Sequence, residues 1–181
     1  MIDSTGYKIF VIEDHIKNDS LFSSISPRLQ TQKYLVSTYD LSEPNDYKKL
    51  LNNASYLGLS QFLVTPSLFG ELIEKLKAYD FNLKGITFSP PINAEDQEYI
   101  NEYLQNITSF YSEEQVIQYL KVLKDEIIRF DEIYDSIPEK LVFSKNGNIY
   151  IIFNNGVLFI EEDDQLIELD RVLNSLIYGV S

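Results

Sequence analysis

Short apolar runs alternate with helical spacing through the first half of the chain. Lys8-Ile9-Phe10-Val11-Ile12, Lys33-Tyr34-Leu35-Val36-Ser37-Thr38, Leu59-Ser60-Gln61-Phe62-Leu63-Val64 and Leu83-Lys84-Gly85-Ile86-Thr87-Phe88 each read as a strand. Pro90-Pro91 stops the last, because proline cannot donate to a ladder. Between the third and fourth runs, Leu68, Phe69, Leu72, Ile73 and Leu76 recur at helical spacing. Ser67 is placed to cap that helix, and Glu71 precedes Lys75 by one turn. Strand, helix and strand in so short a span predict a βαβ crossover and a partly parallel sheet. Asp46–Asn53 is the better of the earlier helix candidates.

Two helices are expected next. Asn93 caps the first, with Glu95 and Asp96 where the helix dipole favours negative charge. Ser112-Glu113-Glu114-Gln115 reads as a capping box opening the longer one. Its apolar positions, Val116, Leu120, Leu123, Ile127, Phe130 and Tyr134, alternate steps of four and three. Such a seam packs on the chain's own sheet or, in a homodimer, on a second copy through the Val116–Tyr134 helix. The tail reads as an antiparallel meander. Asn146-Gly147 and Asn155-Gly156 are hairpin signals, since asparagine and glycine tolerate positive φ. A third turn through Glu162-Asp163-Asp164 leads to a strand at Leu166-Ile167-Glu168-Leu169, and Asp170 caps a short closing helix, Arg171–Ile177.

The expected fold class is therefore mixed α/β: a partly parallel N-terminal sheet with βαβ units, two central helices, an antiparallel meander and a closing helix. Residues 1–181 read as one compact domain, with subdomains 1–92 and 93–181 as the alternative division. Whether the meander extends the first sheet is not decided by periodicity.

Charge changes the picture because it is uneven. Residues 1–90 carry 9 Lys/Arg against 10 Asp/Glu, and residues 91–181 carry 6 against 18, so nearly all of the −13 net charge lies in the second half. That field disfavours direct nucleic-acid binding and attracts basic proteins. The chain has no cysteine, which excludes disulfides and thiolate chemistry. It lacks a leader pattern at its start and any run of ~18 uncharged apolar residues, so a cytoplasmic location away from membranes is expected.

Candidate chemistry is sparse. The single histidine, His15, follows Glu13 and Asp14 at the end of the first strand, where α/β sheets place ligands; these three form the alternative ligand site of a small enzyme or sensor. The same strand with its acidic pair resembles the opening of a bacterial response-regulator receiver, but Phe62-Leu63-Val64-Thr65-Pro66 offers no phosphoacceptor aspartate. Phosphate-binding glycine motifs and a nucleophile elbow are missing too. No catalytic residue, metal site or cofactor is assigned. Five tyrosines, Tyr99, Tyr103, Tyr111, Tyr119 and Tyr134, lie in the acidic half and suit an interface as well as a core boundary. The preferred expectation is a noncatalytic protein-binding protein, most concretely an immunity or antitoxin-type inhibitor of a basic, nuclease-like toxin. Glu113, Glu114, Glu161, Glu162, Asp163 and Asp164 are its candidate contacts, as the densest acidic positions.

Overall fold

A computed structural model describes residues 5–13, 22, 24–109 and 112–178. In these residues the chain forms β1 (Thr5–Val11), β2 (Pro27–Gln30), β3 (Tyr34–Asp40), α1 (Asp46–Tyr56), β4 (Ser60–Gln61), α2 (Pro66–Ala78), β5 (Asn82–Ser89), α3 (Ala94–Ser109), α4 (Glu113–Tyr134), β6 (Ile137–Lys145), β7 (Asn148–Phe153), β8 (Val157–Phe159) and α5 (Gln165–Tyr178).

The sheet runs β2-β3-β1-β8-β7-β6-β5, with β4 also paired to β1, and every pairing is antiparallel. The parallel N-terminal βαβ units expected from the sequence do not form. β4 is only two residues long and pairs with β1, while β5 pairs with β6 at the far edge. The C-terminal meander lies between them. β1 and β5 do point the same way, but three antiparallel strands separate them. The receiver resemblance, which rested on the same reading of the alternation, does not extend to the topology.

Alternation along β1 divides the molecule into two cores. Tyr7 and Ile9 face a large cluster that includes Phe69, Leu72 and Leu76 of α2, Ile100 and Leu104 of α3, Leu123, Ile127 and Phe130 of α4, and Leu169, Val172 and Leu173 of α5. Phe10 joins a smaller cluster with Leu50 and Ala54 of α1, Leu35, Tyr39 and Val157. Four helices thus cover one face and α1 covers part of the other. Residues from both halves of the sequence share the larger core. Four central members of the α4 seam, Leu120, Leu123, Ile127 and Phe130, are buried in it, so they are spent within the fold; Tyr134 stays exposed.

Local chemistry explains most element ends. Thr65, not Ser67, caps α2: its hydroxyl accepts from the Leu68 amide at 3.3 Å, and Pro66 takes the first helical position, where no donor is needed. Asn93 accepts from the Asp96 amide at 2.8 Å and donates to its carboxylate at 2.7 Å. Ser112 occupies the expected N-cap of α4 without a side-chain cap bond. Asn146 and Gly147, at φ 53° and 88°, join β6 to β7. The expected strand at Leu166–Leu169 is instead the first part of α5, because Leu166, Leu169, Val172, Leu173 and Leu176 form one buried helical stripe. The closing helix is correspondingly longer than Arg171–Ile177.

Candidate functional site

The two acidic clusters open at the same end of the sheet. Leu158 lies opposite Tyr7, so antiparallel β8 leaves at the Thr5 end of β1, and residues 161–164 follow there. β5 leaves at the opposite end, α3 returns, and α4 begins with Glu113 and Glu114 back at the Thr5 end. They are not adjacent, however. α2 packs against both α4 and α5, which puts two helix spacings, roughly 16–20 Å, between the clusters. The physiological Debye length is about 8 Å, and Lys75 and Lys77 stand in the intervening last turn of α2. The clusters act as two patches.

The 161–164 turn is partly structural. Asp163 accepts from the Tyr7 hydroxyl at 2.6 Å and pairs with Arg28 at 3.6 Å. The buried Gln165 side chain accepts from the Glu161 amide at 3.1 Å, closing the turn before α5. Glu113 and Glu114 are exposed in the first turn of α4, where the macrodipole favours them.

A further concentration of charge lies on α3 and α4. α3 carries Glu95, Asp96, Glu98 and Glu102 and no cation; α4 carries six carboxylates and three cations. Among the cations, Lys124 already meets Glu74, and Arg129 already meets Glu126 and Asp96. Along the same groove Tyr99, Tyr103 and Tyr119 form a ladder. Their ring centroids are 4.5 and 5.0 Å apart, and the Tyr99 hydroxyl donates to that of Tyr103 at 2.9 Å. Tyr99 is 40% exposed. The Tyr99 hydrogen bond, then burial and the Glu126 and Glu102 charges, raise the Tyr103 phenol above its usual range. Glu98 and Glu102 form the next stripe on α3 and line a cavity of about 480 Å³ with Ala94, Gln97, Asn101 and Gln105. Among the described residues no ion pair reaches either.

The sequence pointed to Tyr99, Tyr103 and Tyr119 but not to Glu98 and Glu102. The i,i+4 spacing of both pairs was the available signal. Tyr111 lies outside the described residues, and Tyr134 sits apart, against Phe130 at 6.0 Å.

At the alternative site, Asp14 and His15 lie outside the described residues. Glu13 accepts from the Ser60 hydroxyl at 2.6 Å. No group of three His, Asp or Glu suited to a metal occurs among the described residues. A separate polar cleft of about 510 Å³ opens between β2, β3 and α1, where Arg28 and Lys49 face Asp40 and Asp46. Burial and Tyr47 push its Tyr39 phenol up to about 12. Its charges are mixed, so it selects no ligand sign.

No helix among the described residues is long and apolar enough to cross a membrane. No protein-family model matches this sequence, and no curated protein or solved structure matches it.

Proposed function

We propose that this chain is a noncatalytic binding protein that presents an acidic surface to a basic protein. The observation that supports the reading is the charge imbalance of the α3–α4 pair, whose carboxylates outnumber its cations while Lys124 and Arg129 are already engaged within the fold. Such a surface attracts a cationic partner over long range and speeds encounter, while short-range contacts set its lifetime. In the narrowest form of the reading, the partner is a cationic nuclease toxin and the carboxylates occupy the places of substrate phosphates.

The test is association kinetics with a partner recovered from the native host, measured from ~50 to ~300 mM salt. The on-rate should fall at least about tenfold across that range. It should fall again at fixed salt when Glu98, Glu102, Glu113 and Glu114 are all changed to glutamine. A partner whose on-rate ignores both changes would overturn the electrostatic mechanism. For the narrow form, the partner should lose nuclease activity when bound; a complex that still cleaves nucleic acid removes it.

A further inference from the structure

The groove between α3 and α4 already holds one arginine, and that residue shows what the groove favours. Arg129 lies with its guanidinium 4.6 Å from the Phe130 ring centroid. It bonds Glu126 through Nε at 2.9 Å and Nη2 at 2.5 Å, and reaches Asp96 of α3 at 3.8 Å. An aromatic face and carboxylates from two helices thus flank a planar cation that stays 36% exposed. Toward the Thr5 end the groove offers ring faces from Tyr99, Tyr103 and Tyr119, and Glu98 and Glu102 stand on the adjoining outer stripe of α3, with the Glu102 charge felt at Tyr103. Among the described residues no cation of the chain itself pairs with those two acids.

We propose that the Tyr99–Tyr103–Tyr119 ladder, edged by Glu98 and Glu102, is the docking surface for an arginine side chain of a basic protein. The inference rests on the acidic-binding reading and adds a place and a chemical preference to it. Guanidinium is favoured over ammonium because it is planar and weakly hydrated. It can stack on a tyrosine face while its edge bonds a carboxylate bidentately. The tyrosines resist displacement, since Tyr99 and Tyr103 are hydrogen-bonded to each other and Tyr103 leans on Tyr119. Little ordering cost is then left for the moment of binding.

Fluorescence anisotropy with labelled nona-arginine and nona-lysine tests this. The expected result is tighter binding of nona-arginine at equal ionic strength. Tyr99→Leu with Tyr103→Leu should weaken nona-arginine roughly five- to thirtyfold, the loss of two cation–π contacts, and should erase the preference over nona-lysine. Tyr103→Phe keeps the ring face and should retain the preference. Glu98→Gln with Glu102→Gln should weaken both peptides and flatten the salt dependence. Equal binding of the two peptides by the unmodified protein would overturn the guanidinium preference. If the tyrosine pair has no effect while Glu113→Gln with Glu114→Gln does, the ladder fails and the acidic reading stands. If neither peptide binds in a salt-dependent way, both fail. Melting curves of each variant separate lost binding from lost folding.

Discussion

Replacing Lys8 with methionine should stabilise the protein at neutral pH. Lys8 is fully buried in β1. Its ammonium donates to the carbonyl of Asn155 and lies 5.8 Å from the Phe10 ring centroid. Among the described residues no carboxylate pairs with it. Burial pushes the amine down from 10.5 to about 8, so the folded state binds this proton less tightly than the unfolded state. Below pH 8 both states carry the proton and the full penalty is present, about 3 kcal/mol at 1.36 kcal/mol per pH unit. Between pH 8 and 10.5 only the unfolded state keeps it, so stability rises with pH through that window. Methionine is similar in length and removes the charge. It also removes the bond to Asn155, worth about 1 kcal/mol, so the expected gain at pH 7 is about 1–3 kcal/mol. The assay is urea unfolding at pH 7, 8, 9 and 10, followed by far-ultraviolet circular dichroism because tyrosine emission changes when the phenols ionise. The advantage of Lys8→Met should shrink by about 2 kcal/mol between pH 8 and 10. Burial raises the phenols of Tyr39, Tyr47 and Tyr150. They keep their protons longer in the folded state, which lowers stability above about pH 10 in both proteins and cancels in the difference. A variant destabilised at pH 7, by an amount constant up to pH 10, would refute the reasoning.

Two comparisons test the packing directly. Gly156 and Gly147 both adopt positive φ, 74° and 88°, but a Cβ at Gly156 would lie 2.1 Å from the Phe62 carbonyl oxygen, while one at Gly147 meets nothing within 4 Å. Gly147→Ala should cost about 1–2 kcal/mol for its backbone conformation alone. Gly156→Ala should cost at least about 2 kcal/mol more, for the forced backbone shift; equal costs in thermal unfolding would contradict the contact. In the acidic turn, Asp163→Asn should lose about 1 kcal/mol, because it weakens the bonds from Tyr7 and Arg28. Glu162→Gln, at an exposed position, should stay within about 0.5 kcal/mol of the unmodified protein in chemical denaturation. The reverse order would show that the turn's charge is not divided as its contacts imply.

Local signals carried the parts of the fold that depend on neighbours in sequence. The Asn146-Gly147 turn, the Asn93 cap and the four-and-three spacing of α4 all specify structure within a few residues, and all were legible. What failed was partner choice among strands. Nothing within 59–88 reveals that three strands from the far end of the chain will lie between β1 and β5. β2 was missed because Pro27-Arg28-Leu29-Gln30 holds a single apolar side chain to bury. Leu166–Leu169 was misread because four residues cannot separate a period of 2 from 3.6; the buried Val172, Leu173 and Leu176 resolve it. The site divided in the same way. Tyr99 and Tyr103 were visible as one helix stripe, but bringing Tyr119 against them requires α3 and α4 to pack antiparallel, which no local pattern encodes.

The fold makes different uses of its carboxylates, and that difference bears on function. Asp163 takes a hydroxyl and a guanidinium, Asp96 accepts from the side chain of the Asn93 cap and meets Arg129, and Glu168 accepts from Tyr150 at 2.6 Å. Each of these stabilises the fold. Glu98 and Glu102 do the opposite. They are like charges one turn apart, a pairing that costs a helix a few tenths of a kcal/mol. They also stand outside the first turn, the region where the dipole would favour them. Both are exposed, so burial does not require them. The cost of their repulsion falls once a partner's cation lies between them and the tyrosine faces. Changing both to glutamine should therefore leave the free protein as stable as before, or slightly more so, while weakening its complex.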